Sequence, residues 1–184
     1  MQVSVFLANG FEEMEAITPI DILRRADIKV NTISISDNYE VCGAHGIKII
    51  ADYLFDDVDF SKSDLLFLPG GMPGTKNLDG HEGLKNLIIN HFNLGKNIAA
   101  ICAAPSILGK LGILEGKEAI CYPGFENQLL GATLSENKVV KSGTIITAQG
   151  AGVAVDFALK LVEELKGKLV ADKIASSICC NIDR

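Results

Sequence analysis

Cys102 closes a short apolar run, AAIC (99–102), and is followed at once by Ala103, Ala104 and Pro105, which open a helix. A strand passing directly into a helix presents its last side chain on a sharp turn. The unpaired N–H groups of the new helix then face the thiol and favour its anion. The pattern predicts a nucleophile.

Two further segments stand at the carboxyl end of an apolar, strand-length run, where open parallel sheets place their ligands. NGFEEMEA (9–16) supplies acids and PGGMPG (69–74) supplies glycine N–H groups. Each is weak alone, since Gly-Gly pairs are commonly turns and a Cys that ends a strand is commonly inert core. Together they describe a thiol, an acid and backbone donors at one sheet edge.

Magnitudes say what Cys102 would need. Lowering a thiol from about 8.5 to about 5.5 requires roughly 4 kcal/mol, at about 1.4 per unit. A helix terminus supplies at most about 2 kcal/mol. A hydrogen bond from a neutral carboxylic acid could supply the remainder, whereas an ionised acid would oppose it. Among Glu12, Glu13 and Glu15, the reading favours Glu15, just inside the first helix and able to point back toward the strand ends. Glu12 and Glu13 are expected to cap and solvate the helix start. The plainer reading of Glu15, an ordinary first-turn acid, stays open.

The elements that must position these groups alternate. Apolar strand-length runs occur at 3–8, 30–35, 65–69, 97–102, 118–121 and 144–148, with helical patterns at 13–26, 82–93, 103–111 and 151–166. Continuously apolar strands are covered on both faces, so the sheet should be mainly parallel inside a three-layer α/β/α sandwich. Segment 36–52 reads as a β-hairpin inserted at an edge, and 132–141 as a second small hairpin. In helix 151–166, Val155, Ala158, Leu159, Val162 and Leu165 form the apolar stripe.

The chain has 184 residues, 48% of them hydrophobic, enough for one domain over 1–184 with a full core. A net charge of −6 argues against nucleic-acid binding, which normally rests on a basic face. No apolar run approaches a membrane span, and the first residues lack the basic region of a signal peptide, so a cytoplasmic, reducing location is expected. Cys42, Cys121, Cys179 and Cys180 read as free structural thiols. No C-x-x-C or H-x-x-x-H spacing suggests a metal, and no G-x-x-x-x-G-K-[ST] suggests a phosphate loop, so no cofactor is expected. The glycines of GAGVAV (150–155) read as a tight turn.

FEEMEA (11–16), LPGGMPG (68–74), AAICAAP (99–105), AICYPGFE (119–126) and AQGAGVAVDFAL (148–159) occur in one order along the chain. In these motifs the sequence resembles the ThiJ/PfpI superfamily and, within it, the parkinsonism-associated deglycase (DJ-one) branch. The resemblance implies a flavodoxin-like fold with a nucleophile elbow at Cys102. It implies an oxidation-sensitive nucleophile at Cys102, a protonated partner at Glu15, and oxyanion donors at Gly71 and Ala103. It also implies a homodimer through helix 13–26, with Asp21 and Arg25 at the contact. Without it, Asp21 and Arg25 are a helix-surface pair four apart.

The pattern also departs from its relatives. Some members place a His where this chain has Tyr122, and His45, His81 and His91 all precede Cys102. Tyr122 is a poor base at neutral pH, which leaves His45, in the inserted hairpin, to reach the pocket or to be a plain loop residue. His81 and His91 are expected to face solvent. Ala103 stands where the superfamily's peptidases carry a His, so peptide hydrolysis is disfavoured. Segment 168–180 is expected to form an extra helix near the site.

The activity implied is a cofactor-independent glyoxalase or deglycase acting on α-oxoaldehydes or their early adducts, linked to carbonyl and oxidative stress. The alternative is a redox sensor or stress chaperone without turnover, in which Cys102 is oxidised to a sulfinate.

Overall fold

In a computed structural model, residues 1–180 are described. Strands and helices follow in the order β1 (Gln2–Leu7), α1 (Glu13–Arg25), β2 (Lys29–Ser34), β3 (Glu40–Cys42), β4 (Lys48–Ile50), β5 (Tyr53–Leu54) and β6 (Leu65–Leu68). They continue as α2 (Gly74–Asp79), α3 (Glu82–Asn93), β7 (Asn97–Ile101), α4 (Pro105–Lys110), β8 (Glu118–Ala119) and β9 (Thr133–Leu134). The last elements are β10 (Val139–Ser142), β11 (Ile145–Ala148), α5 (Ala154–Lys166) and α6 (Lys168–Ser177). The central sheet has the order β10-β11-β7-β6-β1-β2-β5 and is parallel except for β10, which runs antiparallel to β11.

Both faces of the sheet are buried, as the apolar runs require. On one face Val3, Val5, Leu65 and Phe67 pack with Leu23 of α1 and with Phe157 and Leu161 of α5. On the other, Phe6, Leu66, Leu68 and Ile98 pack with Leu84 and Ile88 of α3 and Ile107 of α4. The alternation of neighbours along β6 between the two cores is the period of two expected of a strand. This is the flavodoxin-like three-layer sandwich. α6 lies on α5 and buries Ala171 and Ala175.

Segment 36–52 does form a hairpin, β3 paired antiparallel with β4, outside the main sheet. The second hairpin does not form. Within 132–141, β9 pairs in parallel with β8 while β10 joins β11 at the sheet edge. Glu136–Asn137 is therefore a turn between strands with different partners, and EAIC contributes only β8, away from the main sheet. Short polar runs fix neither partner nor register, because either strand can satisfy their backbone groups.

His91 also departs from expectation. It is buried on α3, burial and the neighbouring Lys96 charge pull its pKa down to about 4, and its Nε2 has no hydrogen-bond partner. His81 caps α3, its Nδ1 accepting from the Leu84 N–H at 3.0 Å. A cap on a short polar turn and a residue near a helix end both look solvent-facing until the packing of α3 on the sheet is known.

Candidate active site

β1, β6, β7 and β11 deliver their carboxyl ends to one edge of the sheet, and each contributes a group there. After β7 the chain turns at Cys102, whose φ of 65° lies in the left-handed region that a non-glycine residue seldom adopts. Its own N–H donates to Ala148 O at 2.9 Å and its carbonyl accepts from the Tyr122 N–H at 2.8 Å. Those two bonds lock the strained turn. The thiol is thereby presented at the top of the sheet, with 9% of the residue exposed.

Glu15 reaches it from the first turn of α1. The residue is 1% exposed, and its carboxyl group stands beside the Cys102 side chain across Gly70, close enough for each to shift the other's acidity. The Gly70 N–H donates to Glu15 Oε2 at 3.0 Å, and the Ala151 N–H also donates to the carboxyl group. On the sulfur side, the Gly71 and Ala103 N–H groups point at Cys102. Sequence reasoning thus named four groups that the fold brings together: Cys102, Glu15, Gly71 and Ala103.

Gly70, Gly150 and Ala151 were missed. A Cβ on Gly70 would lie 2.6 Å from Glu15 Oε2, 2.7 Å from Cys102 Cβ and 2.9 Å from Ile101 O, so no side chain fits between acid and thiol. Three glycines in PGGMPG offered the signal, without saying which one faced the acid. Gly71, with φ +90°, is held against Gly10 and Glu12 by a backbone that only glycine adopts without strain.

Burial pushes Glu15 up to about 7, against the hydrogen bonds from Cys102, Gly70 and Ala151, with the Glu12 charge adding to the rise. Cys102 is pushed up to about 12, first by burial and then by the charge and hydrogen bond of Glu15, against the Gly71 and Ala103 N–H groups. The isolated thiol is therefore not lowered as the helix argument expects. α4 has only six residues and begins beyond the turn, and two N–H bonds do not offset the loss of water around the sulfur.

The two groups titrate as a pair. After burial, the rest of the rise of Cys102 is that of a thiol beside an ionised acid. Moving the proton from sulfur to Glu15 removes that repulsion without changing the net charge. The pair then has one proton to place, with two backbone donors on the carboxylate and two on the thiolate.

His45 and Tyr122 are placed less directly. The loop of the β3–β4 hairpin folds over the start of α1, where Glu13 accepts from the His45 N–H at 2.7 Å and its Oε2 lies 2.8 Å from His45 Nδ1. Glu12 Oε2 lies 3.5 Å from the same nitrogen. Glu13 is accordingly buried rather than a solvating acid, which corrects the expectation for the helix start. Burial alone would raise Glu13, but the bonds from His45 and Ile47 hold it below the usual carboxylate range. His45 is raised, mainly by its bond to Glu13. Its partners are therefore acids of the hairpin dock, and no contact with Cys102 follows. Tyr122 is half exposed and lines a cavity beside the pair.

Glu12, Glu13 and His45 are the one group of side chains among the described residues spaced to hold a metal ion. The His45–Glu13 bond already joins two members of that set.

A flavodoxin-like sandwich with a buried acid beside a cysteine on a strained strand-to-helix turn defines the class of fold and site. Residues 1–164 match the DJ-1/PfpI family, and the chain belongs to it. It is 40% identical to protein DJ-1 homolog A of Arabidopsis thaliana over 95% of its own length and 45% of that protein's. Like the homolog B match, which covers 41% of that relative, it spans less than half of the plant proteins. It is also 31% identical to the glutathione-independent glyoxalase DJR-1.2 of Caenorhabditis elegans, over 91% of this chain and 90% of that one. The solved structure of oxidized Toxoplasma gondii DJ-1 superposes with a TM-score of 0.94 at 37% identity, covering 98% and 99% of the two chains.

Proposed function

We propose that the chain is a cysteine-dependent, cofactor-independent glyoxalase or deglycase acting on α-oxoaldehydes such as methylglyoxal or their early adducts. The observation that carries this reading is the buried Glu15 carboxyl beside the Cys102 thiol on its strained turn. The worm relative's name points the same way.

The sulfur of Cys102, its proton taken by Glu15, attacks the aldehyde carbon, and the carbonyl oxygen develops charge toward the Gly71 and Ala103 N–H groups. Glu15 returns the proton to that oxygen, giving a hemithioacetal. The carboxylate then removes the hydrogen of the former aldehyde carbon and delivers it to the neighbouring carbon, while the hydroxyl proton of the hemithioacetal passes through Glu15 to the oxygen of that neighbouring carbon, which turns the adduct into a thioester of the hydroxy acid. Water hydrolyses the thioester, releasing lactate from methylglyoxal and restoring the thiol. One water is consumed and no external oxidant or reductant is needed.

A second reading has its own support, since protonated Glu15 and the Gly71 and Ala103 N–H groups suit the oxygens of a Cys102 sulfinate. Turnover of methylglyoxal to lactate by the wild type, Cys102→Ser and Glu15→Gln separates the two. The enzyme reading expects turnover that falls at least a hundredfold in both variants. No wild-type turnover, with selective oxidation of Cys102 by dilute peroxide, supports the sensor. Turnover surviving Cys102→Ser overturns both.

The proposed assembly is a homodimer through α1. Exposed Met14 and Ile17 on α1, with Ile47 and Ile50 on the hairpin docked against it, leave apolar surface beside the 2.7 Å Asp21–Arg25 ion pair. No described helix is long and apolar enough to cross a membrane. The free state of all five cysteines suits the reducing cytoplasm proposed for the protein.

A further inference from the structure

A cavity of about 440 Å³ opens beside the Cys102–Glu15 pair, lined by Tyr122, Lys138, Gln149, Gly150 and the turn that follows. Its walls are the backs of the groups that hold the pair. Tyr122 is bonded through its N–H to the Cys102 carbonyl, and Ala151 donates to Glu15. At the junction stands Gly150, where an added Cβ would sit 3.3 Å from the Tyr122 ring and 3.8 Å from Glu15 Oε1. The φ of Gly150 is 165°, extended backbone that any residue adopts. Conformation therefore does not require a glycine there, and its missing side chain leaves room between the Tyr122 ring and Glu15.

The volume falls in the range of small-molecule sites, roughly 300–1,000 Å³, and is far more than methylglyoxal fills. Its one cationic lining residue is Lys138. Lys48, Lys85, Lys110, Lys141, Lys160 and Lys168 each reach an Asp or Glu. The Lys138 ammonium reaches no described partner, while its carbonyl, accepting from the Gln149 N–H at 2.9 Å, fixes its base at the end of β11. In a chain of net charge −6, an unpaired cation in the cavity lining favours anionic ligands there.

We propose that this cavity takes carbonyl substrates bearing a carboxylate, which Lys138 binds while the carbonyl carbon is held at Cys102 Sγ. Lys138 is then a specificity residue, and methylglyoxal is a truncated substrate that leaves the cavity mostly empty. The proposal rests on Cys102 as the nucleophile of the reading above, but not on turnover.

The test alkylates the intact protein with N-iodoacetyl-β-alanine and with its uncharged methyl ester, reading modification of the Cys102 peptide by mass spectrometry. The expected result is that the carboxylate probe labels Cys102 about three- to fivefold faster than the ester, on the scale of one partly exposed ion pair. The preference disappears in Lys138→Met, persists in Lys138→Arg and weakens with added salt. Each variant carries its own ester control, so a general change in thiol reactivity cancels. Equal rates in the wild type, a preference that survives Lys138→Met, or no labelling of Cys102 by either probe overturns the proposal. A Lys138-dependent preference without glyoxalase turnover would retain the anion site and reject the catalytic reading instead.

Discussion

The Glu15 carboxyl group meets the Cys102 thiol above the ends of β1 and β7, both groups are buried, and only Gly70 separates them from the backbone of β6. Neither residue has its ordinary acidity there, because each is desolvated and each acts on the other.

The first consequence is a pH dependence of reactivity. Losing one proton from the pair, near pH 7, leaves an ionised Glu15 that is able to accept the proton of the thiol. Alkylation of Cys102 by iodoacetamide should rise with pH through about 7. In Glu15→Gln that rise should move to higher pH, because a buried thiol without a proton acceptor has only its two N–H donors to stabilise the anion. A wild-type profile that begins to rise only above pH 9 would show that the pair does not share its proton.

The second concerns stability. Folding raises Glu15 from 4.5 to about 7, so between those values the native state holds a proton that the unfolded chain has released. Stability contributed by the protonated acid is full below about 4.5 and is lost as pH rises toward 7, on the order of 3 kcal/mol. Urea unfolding of wild type and Glu15→Gln at pH 4.5 and 7.5 should therefore show the variant gaining relative stability at the higher pH. His91 has the opposite sign, its depressed pKa removing stability as pH falls below its unfolded value of 6.5, so the difference between the two proteins is the informative quantity.

A third prediction is steric. In Gly70→Ala the new Cβ meets a backbone carbonyl and the Cys102 Cβ, which cannot move aside as a flexible chain end can. The expected cost is about 1–3 kcal/mol in unfolding free energy. Alkylation of Cys102 should also lose its dependence on Glu15. Retained wild-type stability would mean that the acid and thiol stand farther apart.

Tyr122 lines the cavity with half its surface exposed, and its bond to the Cys102 turn is made through the backbone. Tyr122→Phe should change methylglyoxal turnover by less than about threefold, because the ring and N–H survive the substitution. A loss of a hundredfold would show that the phenol carries a proton.

For the dimer, Ile17→Glu and Ile50→Glu place charge on exposed apolar positions and should leave the fold intact. Sedimentation should show monomers for the variants and dimers for the wild type. A wild-type monomer at micromolar concentration would reject the proposed contact.

The sequence by itself determined the alternation of strands and helices, because strands buried on both faces must be continuously apolar and helix stripes must repeat near 3.6 residues. It also placed Cys102, Glu15, Gly71 and Ala103 at one edge, since parallel strands all end on the same side. Tertiary structure decided the rest. Which of three neighbouring acids faces the thiol depends on how α1 lies against β1, and that packing turned Glu15 inward and Glu13 toward the hairpin. It buried His91, gave β9 and β10 different partners, and set Gly150 and Lys138 beside the pair. It also reversed the expected shift of the thiol, because helix N–H groups are written in local sequence whereas desolvation depends on everything that surrounds the sulfur.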